Sequence, residues 1–145
     1  MNIEIITNGL TLAIYGFSGT AINKDYVGTA FRLMDKMWQV VKTSSLKNKG
    51  LNIWVYELND KVFAGVELNE PYNHDTELEQ KIITLTKYAC YKHIGSYNLI
   101  KQSGQNMRHE LMNKGFEITA PYIEIYGHWS NDESKLETEL LMSLK

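Results

Sequence analysis

The chain has 145 residues, 43% hydrophobic and 22% charged, proportions that fit one folded domain and exclude a disordered chain. Fifteen basic residues stand against seventeen acidic ones for a net charge of −2, and the basic ones are scattered, which argues against direct nucleic-acid binding. One cysteine, Cys90, excludes an intrachain disulfide and a Cys-rich zinc cluster, and no apolar stretch nears the roughly 18 to 20 residues that span a bilayer; a cytoplasmic protein with no membrane association is expected.

In chain order, Leu10 to Phe17 reads as a strand and Asp25 to Lys42 as an amphipathic helix. Its buried stripe is Val27, Ala30, Phe31, Met34, Trp38 and Val41, with Asn23 as N-cap and Asp25 in the first turn. After a polar loop, Ile53 to Leu58 and Val62 to Asn69 flank the hairpin signal Asn59-Asp60-Lys61. Lys81 to Ile94 reads as one long strand, Ser96 to Asn113 as a helix stopped by Gly115, Tyr122 to Tyr126 as a strand, and Leu136 to Leu144 as a closing strand.

The order is βαββ twice. Ala13-Ile14-Tyr15-Gly16-Phe17-Ser18-Gly19 lies over Ala89-Cys90-Tyr91-Lys92-His93-Ile94-Gly95, Ile53-Trp54-Val55-Tyr56 over Ile123-Glu124-Ile125-Tyr126, and Glu67 over Glu139. The expected fold is α+β: a tandem βαββ repeat with pseudo-twofold symmetry and both helices on one side of the strands. One domain, 1–145, would hold repeats over about 1–70 and about 80–145.

Strand alternation sorts the side chains into two faces. One collects Leu12, Ile14, Ile53, Val55, Val62, Ala64, Val66, Cys90, Ile123, Ile125, Leu136, Leu140 and Met142, the expected floor for both helices. The other collects Tyr15, Phe17, Trp54, Tyr56, Phe63, Glu67, Tyr91, His93, Tyr122, Glu124, Tyr126 and Glu139, too aromatic for a solvated surface and too acidic for a dry core. Pro121-Tyr122-Ile123-Glu124-Ile125-Tyr126 is its densest part, with a carboxylate between two tyrosines. An acid so placed meets a cation, a hydrogen-bond donor or open water, so the stretch reads either as a cage for a flat cation or as a solvated edge strand. Cys90 falls with the buried set and is expected to be inert, and Trp38 and Met107 are expected in the core. His74, His109 and His128 show no metal-ligand spacing, so no metal or other cofactor is expected.

The segments Tyr88-Ala89-Cys90-Tyr91-Lys92-His93-Ile94-Gly95-Ser96-Tyr97 and Pro121-Tyr122-Ile123-Glu124-Ile125-Tyr126, followed by an acidic terminal strand, resemble the GyrI-like family, the effector-binding domain of AraC-type and MerR-type transcription activators. The resemblance implies helices on one side of the strands and a ligand cleft between the repeats on the other, Glu124 as the acid that meets cationic drugs, and stacking by nearby aromatics. With the shared strand parity and the repeat, the expected ligand contacts are Glu124, Tyr126, Tyr122, Trp54, Tyr56, Tyr91, His93 and Glu67, with Trp54, Tyr56, Tyr91, Glu124 and Tyr126 expected to line one pocket. Where the family often carries a tryptophan in the second helix, this chain has Met107. No helix-turn-helix precedes the repeat, so a stand-alone module is expected.

Three functions stay open on sequence. The first is a binder of cationic or amphipathic aromatic molecules, related to multidrug-sensing regulators, with a homodimer or a separate DNA-binding protein as further partner. The second is a hydrolase of cyclopropane-type toxins, as the resemblance also implies, with Glu124 or Glu67 activating water and Tyr126 or Tyr56 as proton donor. The third is a protein-protein interaction module.

Overall fold

The computed structural model describes residues 1–70 and 75–145; His74 lies outside them. The strands are β1 (Glu4–Ile6), β2 (Leu10–Thr20), β3 (Ile53–Tyr56), β4 (Lys61–Val66), β5 (Glu79–Leu85), β6 (Tyr88–Ile94), β7 (Ile118–Tyr126) and β8 (Glu137–Leu144), with helices α1 (Tyr26–Thr43) and α2 (Ile100–Asn113). They form one sheet in the order β1-β6-β8-β7-β3-β4-β2-β5, and every recorded pairing is antiparallel.

That order is a palindrome of the two repeats. β2-α1-β3-β4 and β6-α2-β7-β8 meet at the β3–β7 pair, where Trp54 lies directly across from Glu124, the residue it matches in the repeat alignment. A pseudo-twofold between these strands makes the two central positions cross-strand neighbours. Each repeat also has a leading strand that crosses over: β1 precedes β2 but pairs with β6, and β5 precedes β6 but pairs with β2. The expected single strand from Lys81 to Ile94 is therefore two, broken at Thr86-Lys87, because its halves serve opposite ends of the sheet. Alternation runs through the break with no glycine or proline to mark it, and β1 is too short to show a period.

Local chemistry accounts for the turns. Asn59 and Asp60 take φ of +63° and +60°, the left-handed pair that a two-residue hairpin turn requires. Gly115 at φ +85° ends α2 as expected. Asp25, not Asn23, caps α1: its Oδ1 accepts from Gly28 N at 3.0 Å, whereas Asn23 sits at φ +53° in the preceding 3-10 turn. Gly16 crosses Gly65, and a Cβ there would stand 1.9 Å from Ala64 O, so β2 and β4 approach too closely for a side chain.

Both helices pack on one side of the sheet, but on the aromatic side, which reverses the expected floor. Leu12, Ile14, Ile53, Val55, Phe63, Leu85, Tyr88, Ile123 and Leu141 form a core cluster containing no helix residue. It joins residues of β2 and β5 to residues of β6, strands from opposite halves of the sheet order, so the sheet curls until its aliphatic face closes on itself. That face needs no helix to cover it. Met37 and Val41 of α1 pack on Tyr15, Phe17 and Val66, while Met107 and Leu111 of α2 pack on Ala89, Leu140 and Met142.

Pairing corrects several face assignments with it. Val62 and Ala64 pair with Tyr56 and Trp54 and share their face, Phe63 pairs with Val55 on the closed face, and Glu139 pairs with Ile125, away from Glu124. Cys90 belongs to the closed face, where burial pushes its thiol up to about 11. The stripe of α1 is also rotated: Thr29, Ala30, Met37 and Val41 are buried, and Val27 and Phe31 stay 56% and 50% exposed. Met107 is fully buried as expected, and Trp38 is partly buried.

Candidate functional site

The reversal places Glu124 on the helix-bearing face, in the gap between α1 and α2 and over the pseudo-twofold, and not on the opposite side where the cleft was expected. Alternation along β7 puts Tyr122 and Tyr126 on either side of it, and the β3 register adds Trp54 and Tyr56 from the next strand. Glu124 as a residue is 8% exposed. It accepts from Tyr122 Oη at 2.7 Å, Tyr126 Oη at 2.6 Å and Tyr56 Oη at 3.4 Å, and no ion pair involving it is found among the described residues. Burial first, and then the charge and hydrogen bonds of Glu124, push the phenols of Tyr56, Tyr122 and Tyr126 far above their ordinary range, because a phenolate there would be desolvated beside an anion.

Around the acid, the rings form two rows that bridge the helices. In the first, Phe31 of α1 meets Trp54 edge-on at 5.1 Å, Trp54 meets Tyr126 at 4.9 Å, and Tyr126 meets Tyr97, just before α2, at 5.7 Å. In the second, Tyr26 of α1 meets Tyr56 at 6.2 Å, Tyr56 stacks on Tyr122 at 5.7 Å, and the Arg108 guanidinium of α2 lies 5.7 Å from the Tyr122 ring centre. Glu124 bonds to hydroxyls from both rows. Tyr26 donates to Asp60 of the β3–β4 hairpin, and Gly104 of α2 has no side chain to crowd the Tyr122 hydroxyl. The first row ends in partly exposed rings, Phe31 at 50% and Tyr97 at 39%.

Two buried polar atoms beside Tyr126 have no partner among the described residues. They are Nε1 of Trp54 and Oγ1 of Thr138, whose residue pairs with Tyr126 across β8. Two surface hollows lie away from the cluster, one at Val40, Ser44 and Thr76, the other at Met1, His109 and Lys114. The rings of the cluster are in contact, so a ligand reaching Glu124 has to part them.

Of the residues expected at the site, Glu124, Tyr122, Tyr126, Trp54 and Tyr56 come together. Tyr91 shares the face but stands two strands from Glu124, across Leu140, and packs with the α2 cluster. His93 also shares the face, yet its ring, 4% exposed, is taken up at both nitrogens: Ser103 Oγ donates to Nδ1 at 2.7 Å and Nε2 donates to the Ser96 carbonyl at 2.9 Å. It ties β6 to the start of α2. Glu67 lies beyond the end of β4 and pairs with Lys49 at 3.3 Å instead. Phe31, Tyr97, Tyr26 and Arg108 join the cluster without having been expected there; for Tyr26 and Tyr97 an aromatic side chain at a helix start was the available signal, and Arg108, in the second half of α2, had none.

No protein-family model and no curated protein matches the chain. Solved structures do. SAV2435, in a structure bound to tetraphenylphosphonium, aligns with a TM-score of 0.66 at 20% identity over all of this chain and 94% of that one. The C-terminal domain of EcmrR aligns with a TM-score of 0.76 at 13% identity over all of this chain and 99% of that one. A hydrolase from Listeria innocua aligns with a TM-score of 0.56 at 11% identity over 99% of this chain and 91% of that one. At these identities the likeness concerns the fold, and the fold is the GyrI-like one that the sequence resemblance implied.

Proposed function

We propose that the chain is an effector-binding module of the GyrI-like type that takes lipophilic organic cations at Glu124, and that it acts in the cytoplasm beside AraC- or MerR-type regulators. The observation that carries this is the carboxylate of a residue 8% exposed, held by tyrosine hydroxyls and lacking a cation partner among the described residues. Desolvating a lone carboxylate costs several kcal/mol, and a bound cation offsets that cost. Ring faces on both sides suit a cation whose charge is spread over aromatic groups. Entry is through Phe31 and Tyr97, the two half-open ends of the first row. That a structural neighbour was solved with tetraphenylphosphonium supports the same ligand class.

A two-carboxylate hydrolase fits the geometry less well. The pseudo-symmetric counterpart of Glu124 is Trp54, Glu67 is engaged with Lys49, and Glu139 points to the other face of the sheet. Among the described residues no second acid is placed beside Glu124 to divide the labour of acid and base. Calorimetric titration with tetraphenylphosphonium tests the proposal: micromolar binding supports it, and no heat or shift in melting temperature at millimolar cation removes it.

A further inference from the structure

We propose that Trp54 gives the site a second, polar point of recognition, so that its preferred ligands are organic cations that also carry a hydrogen-bond acceptor within one ring of the charged centre. The inference rests on the cation-binding reading of Glu124 and narrows it. Trp54 is 5% exposed, and its Nε1 is buried without an acceptor among the described residues. Buried indole N–H groups are normally given a partner, since an unmade hydrogen bond costs stability. This chain does so at Trp38, whose Nε1 donates to Asn52 Oδ1 at 2.6 Å.

Apart from Thr138 Oγ1 on the neighbouring strand, the other buried polar groups of the cluster have partners among the described residues. The hydroxyls of Tyr56, Tyr122 and Tyr126 donate to Glu124, and that of Tyr26 donates to Asp60. The indole is flanked by the rings of Phe31 and Tyr126, and Phe31 is itself half exposed. Trp54 is also the cross-strand partner of Glu124, with Cβ atoms of such pairs about 4.5 to 5.5 Å apart. The two central positions of the pseudo-twofold thus hold an anionic acceptor and a neutral donor. One ligand bearing a positive charge and a neighbouring carbonyl or ether oxygen satisfies both; a purely hydrocarbon cation satisfies only Glu124.

The test uses two phosphonium ions of equal charge and nearly equal shape, (4-acetylphenyl)triphenylphosphonium and (4-isopropylphenyl)triphenylphosphonium, titrated into the full chain and into Trp54→Phe. The acetyl compound is expected to bind roughly fivefold to tenfold more tightly to the natural chain, the worth of one neutral hydrogen bond. In Trp54→Phe both should bind more weakly and the preference should fall below about twofold. In nitrogen-proton correlation spectra of the natural chain, the Trp54 indole resonance should move downfield with the acetyl compound and not with the isopropyl one, a readout that does not depend on the variant folding. Equal affinity for the two ions, or a preference that survives in Trp54→Phe, overturns the inference and points to an indole N–H resting on the Phe31 or Tyr126 ring. If both ions bind and only the preference is missing, the cation reading stands alone; if neither binds, both fall.

Discussion

Glu124→Gln keeps the length and shape of the side chain and removes its charge, which separates what the carboxylate does for the fold from what it does for a ligand. As it stands, the group accepts hydroxyls at 2.7, 2.6 and 3.4 Å while the residue is 8% exposed. Hydrogen bonds to a charged acceptor are worth about 1.5 to 3 kcal/mol each, against a desolvation cost of several kcal/mol for a lone buried ion. An amide weakens those bonds and removes the desolvation cost, and a tyrosine hydroxyl can turn to accept from its NH2 group. Thermal stability is therefore expected to stay level or rise modestly. Binding of tetraphenylphosphonium should fall roughly tenfold to hundredfold, the equivalent of about 1.5 to 3 kcal/mol of charge-assisted contact. Triphenylphosphine oxide, neutral and built from the same rings, should change by less than about twofold. Calorimetry gives the affinities and scanning fluorimetry the stability. Equal losses for the charged and neutral ligands would refute the reasoning and shift weight to an interaction surface.

Raised phenol pKa values at Tyr56, Tyr122 and Tyr126 mean that the folded state holds these protons beyond the pH near 10 at which unfolded tyrosine loses them. Their stabilisation is complete below about pH 10 and declines above it by about 1.4 kcal/mol per pH unit per group, so urea midpoints should drop steeply between pH 10 and 11, and less so in Tyr56→Phe. Phe31→Ala, at a half-exposed ring, should leave the midpoint within about 1 kcal/mol of the natural chain and weaken charged and neutral ligands alike, read by the same titrations. His93→Phe strands the Ser103 hydroxyl and the Ser96 carbonyl, and should lower stability by about 2 kcal/mol in urea while cation affinity stays within about twofold. Gly16→Ala should cost about 3 kcal/mol or more, since its Cβ would lie 1.9 Å from Ala64 O.

The repeat and the members of the cage were legible because both rest on period-two alternation and on the matched segments around Trp54 and Glu124. Which face the helices cover was not. Alternation yields two faces, and an aliphatic one is the usual floor; here the curl of the sheet gathers it into one cluster with residues from strands distant in the order, Leu12 of β2 and Tyr88 of β6 among them. Phe31 sat at a spacing that fits the buried stripe of α1, and a modest rotation of the helix left it half exposed at the end of an aromatic row. Tyr97 lies in a 3-10 turn that carries no periodic signal. Glu67 was matched to Glu139 by position, but β4 ends at Val66, and alternation from Phe63 would have turned residue 67 to the closed face in any case. His93 was placed on the correct face, and only the structure shows both ring nitrogens engaged.

The most direct measurement is a crystal structure of the chain with tetraphenylphosphonium. The phosphonium centre is expected between α1 and α2, close enough to the Glu124 carboxylate for a direct charge contact of about 4 to 6 Å, with its phenyl rings against Trp54, Tyr56, Tyr122 and Tyr126 and with Phe31 or Tyr97 displaced. A cation seated at either surface hollow, or on the closed aliphatic face, with the two aromatic rows unmoved, would contradict the account.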